Sequence, residues 1–219
     1  MKVILFGASG MVGQGVLREC LLDADVELVL SIVRSPTGHE DPKLRELVAP
    51  DYRDFSAIES DLSGFDACFF CLGVSSAGMT EERYRLVTYD IAIAAATTLA
   101  KLNPQMTFIY VSGYGTDSSE QGRTMWARVK GKTENDLLRL PFKAAYMFRP
   151  AGIQPLHGVR SKTKLYSIIY AITGPLLPLL KRLFPGYVTT TEQVGRAMLA
   201  VAKHGAAKVI METADINAM

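Results

Sequence analysis

Apolar segments with strand-like and helix-like spacing alternate along most of this 219-residue chain. Short apolar runs predict strands, and apolar residues that recur every three to four positions predict amphipathic helices. The predicted strands cover 2–6, 26–33, 65–72, 106–112, 144–148 and 208–212, and the predicted helices cover 80–102 and 124–140 and also begin near 11 and 191. The segment 43–48 is compatible with a short helix or a strand. This alternation favours a doubly wound parallel sheet of the α/β class.

The first predicted strand runs directly into glycines at positions 7, 10 and 13, and a helical pattern follows them. Such a turn aims unpaired backbone N–H groups and the positive end of the helix dipole at one point, where a pyrophosphate can bind. We expect Gly7 to allow the sharp turn, Gly10 to allow close approach of backbone to phosphate, and Gly13 to allow close packing of helix on strand. The pattern predicts a Rossmann-type dinucleotide site, and the alternative is a glycine-rich turn without a ligand.

Arg34 ends the second predicted strand, with Ser35 beside it and no adjacent carboxylate. In dinucleotide-binding folds an acidic residue here binds the ribose 2′-hydroxyl of NAD, whereas an arginine can pair with the 2′-phosphate of NADP. A guanidinium matches a phosphate through two charge-assisted hydrogen bonds. The sequence therefore favours NADP over NAD as the cofactor. The alternative is that Arg34 is an ordinary surface arginine.

Composition excludes several other classes of function. The net charge of +2 is too small to indicate a nucleic-acid partner. Three cysteines (Cys20, Cys68 and Cys71) make a poor disulfide framework, and with only three scattered histidines we expect no metal site. Residues three apart on a strand point to opposite faces, so the Cys68 and Cys71 thiols should not meet. The apolar start is too short for a secretory signal peptide, which makes the cytoplasm the expected location.

The segment after residue 150 differs from the rest. We expect a single domain over 1–219, with 151–191 as an inserted, mostly helical lobe that is apolar and basic and contacts a substrate or a partner. No Asp or Glu occurs over 137–191, which is consistent with an acidic partner or with a solvated basic face. Residues 163–184 are strongly apolar, but Gly174, Pro175 and Pro178 interrupt them, so a transmembrane span is not expected. Packing against the domain is favoured, and a homodimer face or a peripheral membrane contact remains open.

The order of motifs resembles the short-chain dehydrogenase/reductase superfamily. It is most similar to the small atypical members, the NAD(P)-binding, epimerase-like proteins related to the Tat-interacting protein TIP30. The resemblance covers about the first 150 residues and rests on the following segments: 7–13, 33–34, 71–73, 110–112, 129–132 and 148–152. It is specific for the fold and less specific for a reaction.

The resemblance implies roles for individual residues. The superfamily uses a serine after the fifth strand, which matches Ser112, and a Tyr-x-x-x-Lys pair on the next helix, whose lysine matches Lys130. The lysine holds the nicotinamide ribose and lowers the tyrosine pKa, and the tyrosine transfers a proton. We therefore expect Ser112 and Lys130 to be catalytic. The expected cofactor-binding residues are Gly7, Ser9, Gly10, Met11, Val12, Gly13, Arg34, Ser35, Leu72, Gly73, Lys130 and Pro150.

Trp126 occupies the position of the catalytic tyrosine, and an indole N–H does not act as an acid or base near neutral pH. Two hypotheses follow. In the first, the chain is an NADP-dependent oxidoreductase acting on a small carbonyl or hydroxyl substrate, and another donor such as Tyr114 replaces the tyrosine. In the second, it is a catalytically impaired NADP-binding sensor or interaction protein. We expect the substrate to lie beyond the carboxyl ends of the strands, where Gln154, His157 and Tyr166 are candidate contacts.

Overall fold

The computed structural model describes residues 1–159 and 186–219. Seven parallel strands form one sheet in the order β3–β2–β1–β4–β5–β6–β9. These strands are β1 (Lys2–Phe6), β2 (Leu28–Val33), β3 (Leu44–Val48), β4 (Ala67–Phe70), β5 (Thr107–Val111), β6 (Ala144–Arg149) and β9 (Ile210–Glu212). A separate parallel pair joins β7 (Gly152–Gln154) to β8 (Val188–Thr190). The prediction of a Rossmann-type doubly wound parallel sheet is confirmed.

Helices cover both faces of the sheet, as parallel strands joined by crossovers require. They are α1 (Met11–Leu22), α2 (Glu81–Arg85), α3 (Ile91–Leu102), α4 (Met125–Leu137), α5 (Thr191–His204) and α6 (Thr213–Ala218), with a 3₁₀ turn at Ser56–Leu62. One apolar core lies beneath α3 and α4, and the other lies beneath α1 and α5. Each face of the sheet is therefore sealed from water, and the carboxyl ends of the strands remain available for a site.

The helix predicted over 80–102 has one interruption. The Thr80 side chain accepts a hydrogen bond from the Arg83 N–H (3.3 Å), which confirms the predicted start. A π-helical segment, Leu86–Asp90, then separates α2 from α3. In this segment the Tyr89 hydroxyl donates to Asp136 on α4 (2.7 Å). No local sequence signal indicates such a bulge, because Tyr89 and Asp136 are distant in sequence.

The two cysteines of the 68–71 segment lie as predicted. Cys68 belongs to the core beneath α3 and α4, whereas Cys71 packs against the core beneath α1 and α5. Burial raises the pKa of both thiols well above the usual range. Both cysteines are therefore small apolar core residues rather than reactive thiols.

Most of the predicted lobe, including the apolar segment 163–184 and the candidate contact Tyr166, lies outside the described residues. Within 1–159 and 186–219, no helix has the length and hydropathy needed to cross a bilayer. The described part of the lobe includes β7 and β8, which pair with each other shortly after β6 ends in the chain. Its mostly helical character therefore stays a prediction.

Candidate functional site

The turn between β1 and α1 has the geometry that its glycines predict. Gly7 has φ +83°, and a Cβ there would lie 2.7 Å from the Leu72 backbone nitrogen. A Cβ on Gly13 would overlap the Gly7 carbonyl oxygen. Only glycine fits either position, because the helix start, the turn and the end of β4 approach one another so closely. The resulting cradle is open where a phosphate would approach α1.

The helix start itself carries features of an anion site. Gly10 is the N-cap residue of α1 and supplies no side-chain hydrogen bond, and no acidic residue occupies the first turn. The Gln14 side-chain amide donates to the Ser9 carbonyl (3.1 Å) and braces the turn. Met11 and Val12 are half-buried at the head of the helix. Backbone N–H groups with a positive dipole end suit a pyrophosphate, so these residues fit the phosphates of a dinucleotide.

A cleft of about 520 Å³ extends from this turn to the carboxyl end of β2. The sequence-predicted residues Gly7, Ser9, Arg34, Ser35 and Leu72 line it together. Sequence reasoning did not assign Thr37 and His39, which also line it. The Thr37 N–H donates to the Glu46 carboxylate on β3 (2.9 Å), and the Thr37 hydroxyl donates to the same carboxylate. Glu46 thus ties the loop that follows β2 to β3.

Arg34 is exposed at the mouth of this cleft. Within residues 1–159 and 186–219 no carboxylate or hydrogen-bond acceptor pairs with its guanidinium, which leaves all of its donors available. The cleft wall beside it contains Tyr52, whose hydroxyl donates to the Ile32 carbonyl (3.2 Å). Burial raises the pKa of Tyr52, and the positive charge of Arg34 opposes that shift. An available guanidinium beside an aromatic wall suits the phosphate and adenine of an adenosine 2′-phosphate.

Ser112 and Lys130 come together just beyond the carboxyl end of β5. The Lys130 ammonium donates to the Ser112 carbonyl. The Ser112 hydroxyl donates to the buried Glu134 carboxylate, which Arg149 also contacts through its Nε atom (3.0 Å) and its Nη2 atom. Burial lowers the pKa of Lys130 to about 8, against the opposing effect of the Glu134 charge. The amine therefore loses its proton at a lower pH than an ordinary lysine.

Sequence reasoning missed Glu134, which is fully buried, and the role of Arg149. Two signals could have indicated them. Glu134 lies one helical turn after Lys130 and therefore on the same face of α4. Arg149 ends an apolar strand at the edge where open α/β sheets bind ligands. A charged residue at such a position needs a buried partner or a ligand.

Trp126 lies one turn before Lys130 on α4 and reaches the loop after β5. A Cβ on Gly115 would be 3.6 Å from the Cη2 atom of the indole, so the ring rests against this loop. Tyr114, in the same loop, is 55% exposed, and its ring meets that of Tyr187 edge-on at 5.9 Å. Trp126 and Tyr187 thus both pack against the loop that follows Ser112.

The remaining predicted contacts are dispersed. Gly73 is exposed in the loop after β4, and Pro150 is buried, with its carbonyl accepting a hydrogen bond from the Tyr114 N–H (3.0 Å). Gln154 is half-buried on β7. His157 is exposed, with φ +56°, and its ring nitrogen lies 2.7 Å from Glu192. His157 is thus already paired with a carboxylate on α5.

Comparisons with known proteins agree with this geometry. A family described as NAD(P)H-binding matches residues 7–139. The chain is 28% identical over 225 residues to Protein FMP52, mitochondrial, of Eremothecium gossypii, covering 99% of this chain and 96% of that protein. It is 25% identical over 205 residues to the protein of the same name from Debaryomyces hansenii, covering 92% of this chain and 88% of that protein.

Solved structures show the same fold. The Bordetella bronchiseptica enzyme WbmF in complex with NAD⁺ has a TM-score of 0.69 and 14% identity, covering 99% of this chain and 76% of that one. A UDP-glucose 4-epimerase from Thermotoga maritima, solved with UDP-glucose, has a TM-score of 0.64 and 14% identity, covering 92% and 73%. The NAD(P)-binding family and the fold that the resemblance implies are confirmed by the family match and by these structures. The narrower likeness to TIP30 stays a prediction.

The curated relatives correct one expectation. We expected a cytoplasmic location, but the FMP52 proteins of several yeasts are named mitochondrial, so that prediction is wrong. The expectation rested on the missing apolar signal for secretion. That signal distinguishes secreted proteins from the rest and carries no information about other compartments.

Proposed function

This chain belongs to the NAD(P)H-binding family, with the fold of the short-chain dehydrogenase/reductase type, and on that basis we propose that it is an NADP-dependent oxidoreductase acting on a small carbonyl or hydroxyl substrate. The observation that carries the proposal is Arg34. It follows β2 at the mouth of the cleft that begins at the glycine turn, and no described residue neutralises it. An anionic group beyond the pyrophosphate would fill that position.

Each end of the proposed dinucleotide has suitable partners. The N–H groups from Met11 to Gly13 would bind the pyrophosphate, since the Gly10 N–H already donates to the Gly7 carbonyl. Arg34 and Ser35 would bind the 2′-phosphate, with Tyr52 forming part of the adenine wall. When bound, the nicotinamide supplies or accepts a hydride. Leu72 and Gly73, after β4, and Pro150, after β6, would border its ring at the carboxyl edge of the sheet.

The reacting end would use Lys130 and Ser112. The Lys130 ammonium would donate to the nicotinamide ribose, as the superfamily resemblance implies. The Ser112 hydroxyl would donate to the substrate oxygen, which requires it to exchange its hydrogen bond to Glu134 for one to the substrate. Tyr114 is the candidate proton donor, because its phenol is exposed in the loop that carries Ser112.

Two measurements on the purified protein test the proposal. Calorimetric titration with NADP and NAD side by side is expected to show tighter binding of NADP. NADPH oxidation with a panel of aldehydes and ketones is expected to exceed background, and Tyr114→Phe is expected to reduce it. Failure to bind either nucleotide would refute the whole proposal. Binding with background turnover on every substrate would refute the oxidoreductase and leave the nucleotide site standing.

A second candidate function rests on Trp126. Its indole lies against the loop after β5 and offers no proton at the position of the missing tyrosine. The protein would then bind NADP without hydride transfer and act as a sensor or an interaction module. A partner retained in a pull-down only with NADP present would favour this role. Retention of the same proteins with and without NADP, or of none in either condition, would count against it.

A further inference from the structure

Ser112 is held by α4 through both of its oxygen atoms. The Lys130 ammonium donates to its carbonyl, and the Glu134 carboxylate accepts from its hydroxyl. Lys130 and Glu134 are four residues apart, so they project from the same face of the helix. The two expected catalytic residues therefore share one neighbour, Glu134, which the resemblance did not identify.

Arg149 fixes the position of Glu134. Its Nε atom lies 3.0 and 3.2 Å from the two Glu134 oxygens, and its Nη2 atom contacts the same carboxylate. Arg149 also donates to the Ser118 hydroxyl (2.6 Å) and approaches Glu212 at the end of β9 (3.6 Å). A fully buried carboxylate is costly unless it is paired and hydrogen-bonded. This one is held by side chains from the ends of β5 and β6.

The charge of Glu134 also acts on Lys130. Burial lowers the pKa of Lys130 to about 8, and Glu134 is the charged group that raises it again. Arg149 from β6 and Tyr110 from β5 interact with Glu134, and Glu212 from β9 lies 3.6 Å from the Nη1 atom of Arg149. Loss of the Glu134 charge would leave burial unopposed, and the amine would become neutral at a lower pH.

We propose that Glu134, held by Arg149, is a positioning residue that holds the Ser112 hydroxyl in place until a substrate oxygen replaces it as the acceptor, and that keeps the Lys130 ammonium against the Ser112 carbonyl, ready for the cofactor ribose. The inference rests on the proposed function, because it assigns Ser112 and Lys130 their places in that reaction. Glu134 touches neither substrate nor cofactor in this arrangement. It acts through the Ser112 hydroxyl, from which it accepts a hydrogen bond, and through the Lys130 ammonium, whose positive charge it stabilises.

The direct test is Glu134→Gln with Asp136→Asn as the matched control. Asp136 is a carboxylate on the same helix, but it pairs with Lys132 and Arg139. The side-chain carbon next to the Lys130 amine is followed by NMR on lysine-labelled protein during a pH titration, and its signal is assigned by its loss in Lys130→Arg. We expect the midpoint to fall by roughly one pH unit in Glu134→Gln and to stay unchanged in Asp136→Asn.

Cofactor affinity supplies the second readout. At pH 8 about half of the wild-type Lys130 is charged, whereas a midpoint one unit lower leaves roughly a tenth charged, so the Kd for NADP is expected to rise about fivefold. Below pH 6 both forms should bind equally well. A role of Glu134 in stability alone would instead weaken binding equally at every pH.

Glu134→Gln leaves Arg149 buried without its partner, which could prevent folding. The double variant Glu134→Gln/Arg149→Met removes both charges and avoids that defect. It is also expected to show a lowered midpoint, because Glu134 is the charged group that raises the pKa of Lys130 against the effect of burial. An unchanged midpoint in the folded double variant, with NADP still bound normally, would overturn the inference alone. Wild-type protein that binds no NADP would instead overturn the proposed function and the positioning role with it.

Discussion

Replacement of Arg34 by alanine should change the choice between NADP and NAD. Arg34 lies at the mouth of the cleft, and its guanidinium has no partner among residues 1–159 and 186–219. The ribose 2′-phosphate distinguishes NADP from NAD, so a residue that binds this group affects one nucleotide only. We expect Arg34→Ala to weaken NADP binding and to leave NAD binding nearly unchanged.

The size of the effect follows from the exposure of the site. A hydrogen bond to a charged group contributes about 1.5–3 kcal/mol. Because Arg34 is exposed and screened by water and salt, we assign about 1.5–3 kcal/mol to the whole bidentate pair rather than to each bond. The Kd for NADP should then rise roughly ten- to 150-fold. The loss should be smaller at high ionic strength, since screening already weakens the wild-type contact.

Calorimetric titration of wild type and variant with both nucleotides provides the assay. Arg45→Ala is the matched control, because Arg45 is an exposed arginine on the neighbouring strand β3 whose charge pairs with Asp61 (2.8 Å). The control should bind both nucleotides as the wild type does. Equal losses for NADP and NAD in Arg34→Ala, or a wild type that prefers NAD, would refute the assignment of Arg34 to the 2′-phosphate.

Three further predictions concern the glycine turn and α4. Gly13→Ala should abolish binding of both nucleotides, because its Cβ would overlap the turn. The control Gly186→Ala should bind both normally in the same titration, because its Cβ would be 3.9 Å from its nearest neighbour. Trp126→Tyr should increase NADPH oxidation if the rest of the site is intact, and unchanged turnover in a folded variant that still binds NADP would contradict this. Lys130 has a lowered pKa of about 8 in the folded state, so the unfolded chain binds more protons between pH 8 and 10.5 and stability due to Lys130 should rise over that window. Lys130→Met should therefore have a free energy of unfolding up to about 3 kcal/mol higher than the wild type at pH 7. In urea denaturation this gain should disappear by pH 10.5. A difference between variant and wild type that stays constant with pH would show that the amine is not desolvated.

The local parts of the fold could be read from the sequence. The order of strands and helices, the start of α2 at Thr80 and the separation of Cys68 from Cys71 all depend on neighbours within a few positions. Gly7 and Gly13 were predictable for the same reason, since a strand that turns at once into a helix brings their backbones into contact. Strand boundaries were less accurate: the strand predicted over 26–33 begins at Leu28.

The interior of the candidate site depended on contacts that no short segment contains. Glu134 and Arg149 are fifteen residues apart and meet only because α4 lies across the ends of β5 and β6. The π-helical turn at Leu86–Asp90 and the inward direction of the Ser112 hydroxyl likewise arise from packing between elements. The sequence by itself determined that a nucleotide cradle follows β1, because that geometry is set by local sterics. Only the tertiary structure decided which charges surround Ser112 and Lys130, because burial and pairing are properties of the folded chain.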